Sequence, residues 1–458
     1  MAERLNKPLL YTFGVGDLFF GLLSNMEVFF FNAFLTDYAK FSLVITSIVV
    51  YVTGFGDIIF ALVAGVILQR LSVKLKGGYR SWLLLCPPIV VPLFILQFSK
   101  IGDAYTAAVI IIFGFLASHL LWNVGFAATG ALVGSLTQRP DERTVLSSSR
   151  AQGMTAAGLI FSFTGPPLIA FFGPRTSDVI GYTITIAIFG ILMILGYLYV
   201  YKITAVGNPS ANIVMDTEDK ENRKSLVEIV SLVFRNRPLL LLIVAETFRN
   251  TGIFFILTFA FYYFGYVLDS PAFLSVFIFA TSLVAFFGAV AAAWIGVKLG
   301  KRNTYWISLI LSAVIFLSAI LIEADTWSFT IIFCVATMLC WIAGSMSTAL
   351  FADTVVYGEW KTGKNIQGFT MSLLTMPLKF GLLIRSGIIN VGLMTIGFVA
   401  NTTPTPEVAN GINSIMIFSP AITCAIAAVV FYFGYRIEDK HVVQMQDEIA
   451  ARQTSDGV

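Results

Sequence analysis

Twelve long apolar runs divide this chain, and only one polar stretch between them is longer than an ordinary loop. A helix needs about 20 apolar residues to cross the hydrocarbon core of a bilayer. The runs cover residues 9–35, 43–68, 81–98, 106–136, 152–172 and 179–201, then 239–267, 272–297, 304–322, 328–352, 368–399 and 414–435. Each reaches or nearly reaches spanning length, so the expected fold class is an all-α membrane protein with twelve transmembrane helices. Only 12% of the residues are charged, about half the share of a soluble domain. A chain that is 57% hydrophobic could not cover its core with polar surface in water. The first run is too long for the apolar segment of a cleaved leader, so it is expected to stay in the membrane as span 1.

The same inventory excludes several classes. A net charge of +3 is too small to suggest nucleic acid. Cys86, Cys334, Cys340 and Cys424 all lie in apolar runs, without disulfide or zinc-ligand spacing. With only two histidines, no metal and no cofactor are expected. No nucleophile–base set, HExxH or aspartyl dyad suggests an enzyme. The residues after 436 are too few for the output domain of a sensor.

The polar stretch 204–238 reads as a linker between two six-helix halves, with a short amphipathic helix around 226–234. The expected organisation is a bundle over 1–203, a cytoplasmic central loop over 204–238, a second bundle over 239–436 and a cytoplasmic tail over 437–458. With the N-terminus inside, cytoplasmic segments carry 22 of the 29 Lys and Arg, and external loops carry only Lys40, Lys100 and Arg175. That asymmetry puts both termini on the cytoplasmic side of a cell (inner) membrane. The halves echo each other: Val73-Lys74-Leu75 precedes Trp82, and Val297-Lys298-Leu299 precedes Trp306 at the same offset. Two parallel six-helix repeats are the architecture of the major facilitator fold, whose solute site lies near the bilayer midplane.

Ionisable groups at membrane depth are costly, and so are the first functional candidates. On span 1, Asp17, Gly21, Ser24, Asn25 and Asn32 fall within about 100° of one another. Such a stripe faces either a water-filled cavity or an interhelical hydrogen-bond seam. Glu27 lies outside it, about 80° from Asp17, placed to pair with a neighbouring helix. Asp57 on span 2 has no base near it in sequence, so it either binds a cation, takes a proton or pairs with another helix. On span 11, Ser372, Thr375, Lys379, Ser386 and Asn390 lie within about 60° of one another. Lys379 is too deep there to snorkel, while Arg385 is on another face as a structural or rim charge. Span 5 opens on Ser147-Ser148-Ser149-Arg150, and Arg150 is either an anchor at the helix end or a guanidinium for a substrate carboxylate or hydroxyl pair. Glu246 and Arg249 have the spacing of a structural pair on span 7. His119 and Trp122 sit near the middle of span 4, and Trp122 either packs or stacks on a sugar ring.

The segment 352–363, with Asp353, Tyr357, Gly358, Glu359, Trp360, Lys361 and Gly363, resembles the loop between helices 10 and 11 of the glycoside–pentoside–hexuronide:cation symporters, the relatives of melibiose permease. The likeness extends to Lys379, which matches that family's membrane lysine. Residues 132–137 with Asp141-Glu142-Arg143 are similar to the family's passage from helix 4 to helix 5, and Arg150 falls on its sugar-binding arginine. Tyr11, Gly14, Gly16, Asp17, Thr36 and Asp37 resemble its first helix. Sodium-coupled members present two carboxylates four residues apart on helix 2, whereas here Asp57 is followed by Ala61. Gly21 and Phe126 stand where the family can use acids on helices 1 and 4, and Asp17 is one turn from the former. The resemblance therefore implies proton coupling sooner than sodium coupling.

The expectation is a monomeric, cation-coupled sugar or glycoside symporter working by alternating access in a lipid bilayer. The family members most similar around span 11 and Thr405-Pro406-Glu407-Val408 are glucuronide carriers, which suggests an anionic substrate such as a hexuronide, glucuronide or sulfonated sugar. Arg150, Lys379, Trp122 and Thr375 would bind substrate, Asp17 and Asn25 would meet its hydroxyls, and Asp57, with Asp17, would carry the coupling proton or sodium ion. The alternatives are a neutral glycoside or pentoside uniporter or symporter, and a lysolipid carrier.

Overall fold

The computed structural model describes residues 5–456 apart from 73, 74, 76, 138, 139, 207–233, 322–324, 364–369, 371 and 372. The expected central linker with its amphipathic helix, and Val73, Lys74 and Ser372, thus lie almost wholly or wholly outside the described residues. Fourteen α-helices and no strand occur among those described. They are α1 (Lys7–Thr12), α2 (Val15–Ala33), α3 (Leu43–Ser72), α4 (Tyr79–Gln97), α5 (Ala104–Leu136), α6 (Pro140–Phe172), α7 (Asp178–Val206), α8 (Arg237–Tyr266), α9 (Phe273–Leu299), α10 (Lys301–Ser318), α11 (Thr326–Thr362), α12 (Met376–Thr395), α13 (Pro406–Gly434) and α14 (Asp439–Asp456). Among the described residues, twelve helical spans are long and apolar enough to cross a membrane; α1, α2 and a π-helical turn at Phe34–Tyr38 together form the first.

Local chemistry sets the helix ends. The Asp103 side chain accepts from the amides of Tyr105 and Thr106 and starts α5. Hydrogen bonds from the Thr106 hydroxyl and then from those amides hold the Asp103 carboxyl below its ordinary range. Asn236 caps α8 ahead of Pro238, and Thr405 caps α13 with Pro406 in the first turn. Two expected boundaries move. Residues 352–362, expected as a loop, continue α11 without a break, because nothing before Gly363 stops the helix. Gly363 ends it with φ +67°, a left-handed conformation that glycine adopts without strain. Likewise α6 begins at Pro140, so Arg150 lies in its third turn and not at its end.

The contacts divide the chain into two compact units: Met1–Thr217 with Ala272–Phe279 and Leu393–Thr403, and Glu218–Pro271 with Ala280–Gly392 and Pro404–Val458. In the first, α4 packs on α5 and α7, α2 on α6 and α7, and α3 on α5. In the second, α10 packs on α11 and α13, and α8 on α13. The third span of each unit thus touches the fourth and sixth, and the first touches the sixth, as a parallel repeat requires. A matching contact secures each copy. Arg80 at the start of α4 donates to the Tyr201 carbonyl (2.9 Å) and the Thr204 hydroxyl at the end of α7, its guanidinium over the Tyr201 ring. Arg302 at the start of α10 donates to the carbonyls of Tyr432 and Tyr435 (2.8 Å) at the end of α13, over the Tyr432 ring. Both satisfy carbonyls that a helix end leaves unpaired.

Residues 437–458, expected as a tail, contain α14, which docks on α11. Lys301 bridges Asp353 (2.7 Å) and Asp439 (3.3 Å), and the Trp360 indole donates to Glu448 (2.6 Å). Arg452 donates to the Trp360 carbonyl.

Candidate functional site

The first unit brings two helices into backbone contact, and that contact builds the best-defined polar centre. A Cβ on Gly14 would lie 1.9 Å from the Ser149 carbonyl oxygen, and one on Gly153 would lie 2.1 Å from the Gly14 carbonyl oxygen. Only glycine allows this approach, the close packing that small residues give helices in membranes. The Gly14 amide donates to the Ser149 hydroxyl, which donates to the Tyr11 carbonyl. Three residues beyond Gly14 on α2, Asp17 meets Arg150 of α6, the residue that follows Ser149.

The Arg150 Nε donates to both Asp17 carboxylate oxygens at 3.0 Å, and Nη2 donates to Oδ1 at 2.8 Å. Nη2 also donates to the Thr129 hydroxyl on α5 at 2.9 Å, and the guanidinium lies 5.2 Å from the Phe126 ring. Asp17 is buried at 2% exposure, while the Arg150 side chain keeps 18%. Asp17, expected to meet sugar hydroxyls, therefore spends its carboxylate on Arg150. The guanidinium is held along its Nε–Nη2 edge, with Nη1 and part of its surface left over.

Trp122 also differs from expectation. It is buried, with the Phe20 ring at 4.1 Å and the Phe94 ring at 5.4 Å, so the faces that would stack on a sugar are filled by phenylalanines. Asn25 is half-buried on α2. Asp57 of α3, at 7% exposure, accepts from the Asn123 amide on α5 at 2.8 Å. The same amide nitrogen donates to the His119 carbonyl at 2.7 Å. His119, buried at 2%, sets its Nε2 2.9 Å from Oε2 of Glu27 on α2. Glu27 does pair with a neighbouring helix, and its partner is the histidine that sequence reasoning noticed without connecting the two.

In the second unit, Glu246 and Arg249 form the expected pair on α8, with bonds of 2.9 and 2.7 Å and both side chains buried. Arg385 is buried on α12 and donates to the Thr258 hydroxyl, so it is a structural charge and not a rim one. Of the α12 stripe, Lys379 is half-buried and Thr375, in a 3-10 turn before the helix, is exposed. Ser386 bonds back to the Leu382 carbonyl, and the Asn390 amide is buried with neither atom hydrogen-bonded among the described residues. No group of three or more His, Cys, Asp or Glu among the described residues could hold a metal.

Residues 12–439 match the family model of the MFS/sugar transport proteins, and the chain belongs to that family. Within it, the chain is of the glycoside–pentoside–hexuronide symporter type. It is 26% identical to a putative sulfoquinovose importer of Salmonella typhimurium, over 96% of this chain and 92% of that one. It is 25% identical to a glucuronide carrier protein homolog of Escherichia coli, over 99% and 97%. The crystal structure of a D-xylose-proton symporter aligns with a TM-score of 0.66 at 14% identity, over 93% of this chain and 97% of that one, which confirms the major facilitator fold. The protein is a multi-pass membrane sugar transporter and not an enzyme.

Proposed function

We propose that this protein couples the entry of protons to the uptake of an anionic sugar, a hexuronide or a sulfonated sugar, by alternating access. The observation that carries the substrate reading is the partly exposed Arg150 guanidinium, whose side chain keeps 18% exposure and is oriented by Asp17 and Thr129. Holding a guanidinium by one edge fixes its plane in advance, so a carboxylate or sulfonate meets a donor that loses little freedom on binding. Asp17 is then a positioning residue for Arg150. Lys379, half-buried on α12, is read as a second cation for the substrate or its coupling. The glucuronide carrier homolog and the sulfoquinovose importer to which the chain is similar agree with an anionic class.

Asp57 is read as a coupling carboxylate. It is buried on α3 and tied to α5 through Asn123, so a change in its charge alters how those two helices hold each other. Protonation need only shift the energies of inward-open and outward-open states differently to drive transport. The basic loops place both termini in the cytoplasm in this reading. The test is uptake of a labelled aryl glucuronide into cells expressing the chain, with unlabelled acidic and neutral glycosides as competitors. Competition by acidic sugars alone supports the reading; equal competition by neutral galactosides and xylosides overturns the anionic assignment.

A further inference from the structure

The contact between Glu27 and His119 is not needed to bind a sugar at Arg150, and its hydrogen bonds have an unusual property. His119 Nε2 faces the Glu27 carboxylate at 2.9 Å. On the other side of the ring, Nδ1 lies 3.0 Å from the Phe115 carbonyl oxygen and 3.2 Å from the Ser118 hydroxyl. The carbonyl can only accept, whereas the hydroxyl can donate or accept. The Ser118 oxygen also lies 2.9 Å from that same carbonyl.

Two arrangements satisfy every atom. In the protonated ring, Nε2–H donates to Glu27 and Nδ1–H donates to the Phe115 carbonyl. In the neutral ring, Nε2–H still donates to Glu27, and the Ser118 hydroxyl turns from the carbonyl to donate to Nδ1. A proton can therefore join or leave Nδ1 without orphaning a buried polar group, a cost that otherwise opposes titration at depth. The charge of the α2–α5 contact changes from −1 to zero as the proton binds.

We propose that His119, backed by Glu27 and served by Ser118, is a second protonation site of the transport cycle, acting beside Asp57. Asn123 joins the two, since one amide nitrogen donates both to Asp57 and to the His119 carbonyl. This deepens, and in its transport arm rests on, the proton-coupled reading above. The ionisable groups around the ring are Glu27 from α2 and, through Asn123, Asp57 from α3. From α4 the ring meets Phe94, with Cys86 lower down beside Gly125. The Arg150–Asp17 pair of α6 and α2 reaches α5 at Thr129, and Tyr197 of α7 lies behind Phe20. The Phe115 ring stacks on the imidazole at 3.7 Å and shields it, while the Glu27 side chain keeps 19% exposure.

Because the chain has two histidines, His441→Gln leaves a single imidazole for nitrogen NMR of the detergent-solubilised full chain. In that background the remaining signal is expected to titrate between about pH 5 and 8, the range open to a histidine. Glu27→Gln removes the opposing charge and is expected to lower the midpoint by about one unit. Ser118→Ala removes the donor that serves the neutral ring and is expected to raise it. A shift that stays flat across the range, or a midpoint indifferent to both variants, overturns the proposal. This readout needs no substrate, so it stands even if aryl glucuronide proves not to be transported. Where that sugar is transported, His119→Gln is expected to keep exchange across the membrane while losing acceleration by an inward proton gradient; unchanged acceleration counts against the site.

Discussion

A guanidinium at position 150 finds a carboxylate at position 17 because neither could remain alone at this depth. Unpaired at membrane depth, each would cost several kcal/mol. The same pressure joins Glu246 to Arg249 in the second unit, where both are buried. Glu246→Gln leaves Arg249 buried without its counter-charge, and is expected to cost about 3–5 kcal/mol. The double variant Glu246→Gln with Arg249→Met should recover much of that, read as thermal unfolding in detergent; equal losses in both would mean the pair is not energetically coupled. Asp57→Asn keeps the shape and removes the charge change. With one proton per sugar, a gradient of one pH unit supports about tenfold accumulation, and this variant is expected to reach only equilibrium. Normal accumulation would remove Asp57 from coupling. The need for partners was legible in the sequence, since each ion lies in an apolar run, and the spacing of Glu246 and Arg249 named one pair. Partners on different helices were not legible: Arg150 and Asp17 are 133 residues apart, and nothing local says which helices will touch.

Helices were read well where length alone decides, and poorly where their ends depend on tertiary contacts. The extension of α11 through Thr362 is of the second kind. Asp353 reaches Lys301 and Trp360 reaches Glu448 on α14, which gives the polar end of α11 partners that a loop would not need. The Trp360 indole, followed by Gln444, holds the Glu448 carboxyl below its ordinary range. A carboxyl lowered in the folded protein contributes stability above its unfolded pKa, and that contribution is lost as pH falls through the folded value. Docking of α14 should therefore persist at neutral pH and fade on acidification below the usual glutamate range. Trp360 fluorescence should follow that change, and Glu448→Gln should reduce its pH dependence, with Asp353 and Asp439 on Lys301 still contributing. The α2–α6 contact gives a steric prediction. Any side chain on Gly153 meets the Gly14 carbonyl, so Gly153→Val is expected to cost about 2 kcal/mol or more. It should also impair transport by parting Arg150 from Asp17. A variant of unchanged melting temperature and transport rate would show the contact to be dispensable.

The whole molecule reads as one six-helix plan used twice. Sequence carried this only faintly, in two short Val-Lys-Leu clusters each followed by a tryptophan. The structure carries it in the repeated packing of third, fourth, sixth and first spans, and in Arg80 and Arg302 capping equivalent helix ends. Those arginines looked like ordinary cytoplasmic charges in sequence, because orientation rules count a charge without saying what it touches. Fold and transport class thus followed from apolar length and resemblance, whereas the Glu27–His119 contact needed three-dimensional placement. The most direct measurement of the central claim is pH recorded outside de-energised vesicles as an aryl glucuronide is added. Proton-coupled uptake of an anionic sugar predicts alkalinisation outside that keeps pace with entry of the sugar, collapses with a protonophore and is absent in Asp57→Asn. Glucuronide entry with no pH change would contradict proton coupling outright.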